Sequence, residues 1–200
     1  MTEAVNKDFH VIYLTGAPAT GKTALLDAVA ASRPDVARFS YGEELTGIAK
    51  RRVGRELVQA DIRRESADLI SPDDVRDTDE WLTEFAEERR KRQHVVIDSH
   101  PVTKEQFGFR VTAFSLEQLR RVGITRLCCL YCQPEVVIDR IASDPQGRPN
   151  VGVFETTIHG LLQDGVVATY GVLLGLPVYY LDSTVPPAVL LRRFEELLLG

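Results

Sequence analysis

The sequence predicts an α/β fold in three layers: a parallel five-stranded sheet with helices on both faces. Three observations carry that expectation. Apolar stretches of strand length alternate with stretches of helical periodicity from one end of the chain to the other. The strand candidates at residues 9–15 (FHVIYLT) and 94–98 (HVVID) are near-continuous apolar runs, the pattern of strands covered on both faces. And 200 residues, 44% hydrophobic and 26% charged, fit one globular domain with no repeat, linker or low-complexity segment.

The same composition excludes several classes. A chain of this length buries roughly 70% of the surface its unfolded form exposes, so it needs no disulfide or metal to fold. Its apolar content is too high for disorder. The longest apolar run, residues 170–181, is interrupted by Gly171, Gly175 and Pro177 and falls short of the roughly 18 residues of a membrane span. Residues 1–8 mix acidic and basic side chains without an apolar core, so no secretory leader is expected and a cytoplasmic location is the default. The net charge of -5 argues against a nucleic-acid binder, so an anionic ligand must be gripped locally. Cys128, Cys129 and Cys132 lie in or beside an apolar stretch and read as core thiols. Cys129-x-x-Cys132 is at most half a zinc site, with no second pair to complete it.

Element by element, residues 9–15 form the first strand, bounded by Gly16, and residues 22–31 have helical composition. A short strand over 37–40 leads to a helix through Arg52, with Ser40 and Glu43 spaced as a capping box. Ser71-Pro72-Asp73-Asp74 opens the next helix with a cap, a proline in the first turn and two acids. Its apolar face is Val75, Trp81, Leu82, Phe85 and Ala86, and it ends in Arg89-Arg90-Lys91-Arg92, a basic end that complements the helix dipole. The strand at 94–98 follows, then a long segment, 100–114, without regular periodicity, a length that within a compact domain points to function. A short helix over 115–122, capped by Ser115, precedes a strand at 125–131 and a helix at 135–142. Residues 144–150 are turn-rich, a long helix runs to about Leu174, residues 177–181 form the last strand, and 187–199 is a closing amphipathic helix.

Gly16-Ala17-Pro18-Ala19-Thr20-Gly21-Lys22-Thr23 satisfies G-x-x-x-x-G-K-[ST] between a strand and a helix, and these residues together with Ala24 are the candidate cofactor-binding set. The glycines let backbone N–H groups turn inward around a phosphate, and the helix N-terminus adds its dipole. Lys22 reaches the outer phosphates, and the Thr23 hydroxyl is offered to Mg²⁺. The fold class therefore sharpens to a P-loop NTPase fold with ATP and Mg²⁺ as cofactors.

Such a site also needs an acid at the end of another strand. Asp98 is the leading candidate, as a Mg²⁺ ligand or as the base that takes a proton from the acceptor, and Asp182 is its rival. Switch GTPases are excluded by the absence of N-K-x-D, and Asp144-Pro145-Gln146-Gly147 follows a helix where their D-x-x-G follows a strand. An arginine-bearing loop around Arg148 favours a kinase, since phosphoryl transfer needs positive charge in a site closed to water.

Further segments carry a family resemblance. Thr15-Gly16-Ala17-Pro18, Phe39-Ser40-Tyr41-Gly42, Ile97-Asp98-Ser99-His100 with Lys104 and Gly108-Phe109, Arg140 and Arg148, and the run from Ala168 through Tyr170-Gly171 to Gly175 occur in order. From about Phe9 to Leu199 the chain resembles the archaeal-type adenylate kinases, a branch of the P-loop nucleoside monophosphate kinases. The resemblance implies Mg²⁺-ATP-dependent phosphorylation of a nucleoside monophosphate, with Lys22 and Thr23 on the donor, Arg140 and Arg148 closing over the transferring phosphate in a lid at about 143–150, and acceptor-side segments at about 41–70 and 98–114. Tyr41, Arg63, Arg64, His100, Lys104 and Phe109 are the acceptor-side candidates it implies. His100 can equally be a turn histidine, and Phe107 and Phe109 a local apolar cluster.

Two departures fall on charge: Asp68 and the pair Gln163-Asp164 stand where that family carries basic residues, so the acceptor is expected to be less anionic than AMP. A kinase acting on the hydroxyl of a nucleoside or other small metabolite, with Asp98 as base, is the alternative, and a nucleotide-binding regulatory protein the third reading. No nucleic-acid or membrane partner is expected, and the sequence leaves monomer or homo-oligomer open.

Overall fold

In the computed structural model, residues 9–53, 69–143 and 152–199 are described. The central sheet is parallel throughout, in the order β2-β3-β1-β6-β7, from β1 (Val11–Gly16), β2 (Val36–Ser40), β3 (His94–Asp98), β6 (Arg126–Tyr131) and β7 (Val178–Asp182). Strands β1 and β3 are buried at every residue, because helices cover both faces of the middle of the sheet. Alternate side chains go to opposite layers. Tyr13, Ile97, Leu127 and Cys129 join one core with α3 (Pro72–Arg89), α4 (Leu116–Val122) and α6 (Val153–Leu174). Ile12, Leu14, Val96, Cys128 and Leu130 join the other with α1 (Lys22–Ser32) and α7 (Pro187–Leu199). The remaining helices are α2 (Tyr41–Val53) and α5 (Pro134–Ala142).

The predicted caps of α3 and α4 form: Ser71 Oγ accepts from Asp74 N at 3.1 Å and Ser115 Oγ from Gln118 N at 3.0 Å. Three sequence expectations change. Ser40 is the last residue of β2, which runs directly into α2 at Tyr41, so the strand end takes the place of the expected cap. The segment 100–114, read as irregular, contains an antiparallel hairpin, β4 (Val102–Glu105) and β5 (Gly108–Val111). Trp81, placed on the apolar face of its helix, is 42% exposed, and Leu82 and Ala86 are fully buried. Cys128 and Cys129 are buried in the core as expected and Cys132 is half-buried. Among the described residues no cluster of metal-ligating side chains forms and no helix is long and apolar enough to cross a membrane. The predicted lid falls almost wholly outside the described residues, as do Arg63, Arg64, Asp68 and Arg148.

Candidate active site

The loop from Gly16 to Thr23 joins the central strand to α1, and its shape depends on two glycines. At Gly16, φ is +150°, and a Cβ would stand 2.6 Å from the Leu130 carbonyl oxygen of β6. Gly21, at φ 90°, is the N-cap of α1 and places no side chain over the helix end, so the first-turn N–H groups stay open to an anion. Ala17 O closes the turn between them, accepting from Thr20 N at 3.3 Å and Thr20 Oγ1 at 2.8 Å. The buried Lys22 ammonium curls back over the loop, donating to Gly16 O at 2.6 Å and Ala17 O at 3.4 Å. Thr23 and Ala24 are exposed on the first turn.

Sheet order places the two candidate acids differently. Strand β3 lies beside β1 with Leu14 in register with Asp98, so Asp98 stands next to the start of the phosphate loop. Asp182 ends edge strand β7, beyond β6, where its Oδ1 accepts from Thr184 N at 2.8 Å and Thr184 Oγ1 at 2.7 Å. These turn bonds hold its carboxyl below the usual range.

Asp98 is 5% exposed. Its Oδ2 accepts from Arg38 Nη2 at 3.4 Å, while its buried Oδ1 has no hydrogen-bond partner among the described residues and faces His100 Nε2 at 4.0 Å. Burial raises the carboxyl above its ordinary value, against the opposing pull of Lys22 and Arg38. A buried carboxylate oxygen left unpaired is costly, and it is a place for a ligand to donate. Arg38, which the sequence reading did not single out, also reaches Asp27 of α1 at 3.5 Å.

A chain of polar contacts lies beneath. Gln163 Nε2 donates to Thr15 Oγ1, which donates to Ser99 O at 2.9 Å, and Ser99 N donates to Leu14 O at 3.1 Å. Gln163, noted in the sequence as a departure, thus ties α6 to the ends of β1 and β3. Its neighbour Asp164 accepts from Cys129 Sγ at 3.4 Å.

Arg140 lies on the β6 side of the loop, away from Asp98. Its guanidinium donates to Ala19 O at 3.2 Å, Ser183 Oγ at 3.3 Å and Ser183 O at 2.9 Å, joining α5 to the phosphate loop and to the turn after β7. Of the acceptor-side candidates, Tyr41 donates to Asp79 at 2.8 Å and packs its ring on Phe114. Lys104 pairs with Glu155 at 2.7 Å and lies over the Phe109 ring, which contacts His159. His159, also missed in the sequence, is buried and donates from Nε2 to Val102 O at 3.1 Å; burial lowers its pKa. Phe107 is 75% exposed at the hairpin tip and forms no apolar cluster with Phe109.

Comparison with known proteins agrees with this architecture. No curated protein matches the chain. Among solved structures, a putative kinase from Chloroflexus aurantiacus is similar at a TM-score of 0.59 and 16% identity, covering 97% of this chain and 98% of that one. The tunicamycin resistance protein of Deinococcus radiodurans is similar at 0.54 and 15%, covering 94% and 95%. Shikimate kinase from Bacteroides thetaiotaomicron is similar at 0.53 and 18%, covering 96% and 99%. At these identities the likeness establishes the fold, that of the P-loop kinases. Residues 15–158, from the strand end before the phosphate loop to the start of α6, match the model of a family described as AAA domain, and the chain belongs to that family.

Proposed function

We propose that the protein is an ATP-dependent kinase that phosphorylates a hydroxyl group of a small metabolite, with Asp98 as the general base. The observation that carries this reading is the buried Oδ1 of Asp98 beside the phosphate loop, which accepts no hydrogen bond among the described residues. A hydroxyl acceptor brings the donor that this oxygen lacks, and its proton has to go somewhere as the new P–O bond forms. An acceptor phosphate needs no such base. Two of the three similar structures are named as kinases, one of them for shikimate, which supports a small-molecule acceptor.

The residues of the loop divide the work. The open N–H groups between Gly16 and Thr23 receive the phosphates of ATP, and Lys22 exchanges its contacts with Gly16 O and Ala17 O for the outer phosphates. Mg²⁺ fits the Thr23 hydroxyl together with phosphate oxygens, a hard-oxygen donor set suited to it, and when bound it neutralises charge on the transferring group. Arg140 fixes the loop through Ala19 O, and Arg148 is assigned to the lid. Arg38 holds Asp98 Oδ2, leaving Oδ1 to orient the acceptor hydroxyl and take its proton.

The test is ADP release from Mg²⁺-ATP across a panel of nucleoside monophosphates, nucleosides and small hydroxyl metabolites. A hydroxyl compound is expected to be turned over, with loss of activity in both Lys22→Ala and Asp98→Asn. A nucleoside monophosphate acceptor, favoured by the order of segments shared with the adenylate kinases, predicts instead that only monophosphates react and that turnover does not depend on a base at position 98. Absence of turnover with every compound favours the regulatory reading.

A further inference from the structure

Helix α6 runs for 22 residues and buries Thr156, His159, Gln163, Val167, Tyr170 and Gly171 against the sheet and hairpin. At 100° per residue, Phe154, Leu161, Gly165, Ala168 and Val172 fall on one stripe of the opposite side. All five are exposed, Phe154 at 76%, Leu161 at 60% and Val172 at 84%. The hydroxyls flanking the stripe are already satisfied within the helix, Thr157 donating to Val153 O at 2.8 Å and Thr169 to Gly165 O at 2.7 Å.

No charged side chain lies on this stripe. The acids of the helix are Glu155, paired with Lys104, and Asp164, beside Cys129. The outer faces of α3 and α7 carry Asp73, Arg76, Asp77 and Glu84, and Arg192, Arg193 and Glu196. A helix face that water alone covers is normally charged in this way, so an uncharged apolar one signals a partner.

Two features commit the occupant to a second copy of the chain. Each copy carries a net charge of -5, so two copies meet most readily through a face without acids. The stripe is also complementary to itself when reversed. An antiparallel two-fold pairing about residue 163 sets Phe154 against Val172 and Leu161 against Gly165, twice by symmetry. A Cβ at Gly165 would meet nothing within 4 Å, so the missing side chain leaves open space for the opposing leucine. Parallel pairing would set bulk on bulk and glycine on glycine.

We propose that α6 forms a homodimer interface in which the Leu161 side chain of each copy fills the space at Gly165 of the other. The helix is about 33 Å long and 10–12 Å wide, a contact below the ~800 Å² per partner of a standard interface, so the dimer is reversible. This inference is independent of the proposed activity.

Sedimentation velocity over a concentration series tests it. The wild-type mass is expected to rise toward twice the chain mass. Leu161→Arg is expected to weaken association about tenfold or more, as for an interface anchor. Gly165→Leu is expected to weaken it too, although it adds apolar surface, because it fills that space. Circular dichroism and thermal melts of both variants check that the fold is kept. When Leu161→Cys and Gly165→Cys proteins are mixed and oxidised, the mixed cross-link should exceed either self-link, with wild type as control for the native cysteines. A monomer up to several hundred micromolar, a dimer strengthened by Gly165→Leu, or preferential Leu161→Cys self-linking would each overturn the proposal.

Discussion

Asp98 sits under opposed influences: burial favours its protonated form, and Lys22 and Arg38 favour the carboxylate, with burial the larger effect. Two outcomes follow from one substitution. In the proposed mechanism Asp98→Asn removes the proton acceptor, so kcat should fall by roughly 10²–10⁴ while ATP affinity, read by equilibrium titration, is kept. The same change should raise Tm at pH 7. A carboxyl whose folded pKa is raised contributes stability below its unfolded value near 3.9, and that contribution is lost as pH rises through the folded value. At neutral pH the buried carboxylate therefore costs stability, which an amide avoids. Melts at pH 7 and pH 4 check the sign, since the difference should shrink at the lower pH. Arg38→Met should lower kcat with ATP affinity intact, and added guanidinium should restore part of the rate; no rescue would argue for a purely structural arginine. Asp98 was legible because it ends an apolar strand. Arg38 was not, because its partner lies 60 residues away and nothing in VARFS marks it.

Local signals decided some elements and failed for others. The start of α3 was readable because its bonds span three residues: Ser71 caps Asp74 N, and Asp74 Oδ2 accepts from Ser71 N at 2.8 Å. Ser71→Ala is expected to cost about 1 kcal/mol of stability in denaturant titrations. Arg52 adds further bonds to the Asp74 carboxylate, and together with the cap they hold its pKa down at about 2. A depressed carboxyl contributes stability above its unfolded value near 3.9 and loses it as pH falls through the folded value. Tm should therefore drop between about pH 4 and pH 2, and less steeply in Asp74→Asn. The β4-β5 hairpin left no such trace. Its strands have four residues each, the turn Gln106-Phe107 lacks the usual Asn-Gly signal, and its anchors, Val102 O to His159 and Lys104 to Glu155, are 57 and 51 residues away.

For the whole molecule, the proposed function predicts that nucleotide binding is coupled to folding through the phosphate loop at the centre of the sheet. Mg²⁺-ATP at 100 times its Kd should stabilise the protein by about 2.7 kcal/mol. The corresponding rise in Tm should be lost in Lys22→Ala, whose unliganded melt checks that the fold is intact. If Lys22→Ala keeps the shift, the loop is not the nucleotide site. The sequence by itself determined the five strands of the parallel sheet, most helix limits, the phosphate loop and the two rival acids, because apolar periodicity, glycine spacing and caps act over a few residues. Only the tertiary structure decided which acid lies beside the loop, because the order β2-β3-β1-β6-β7 sets Asp98 beside β1 and puts Asp182 at the far edge. It also set Arg38 on Asp98, Arg140 on the Ala19 carbonyl of the loop and Gln163 under Thr15. Those contacts join residues 60 to 148 positions apart, and a burial pattern that tells a side chain to go inward does not tell it whom to meet there.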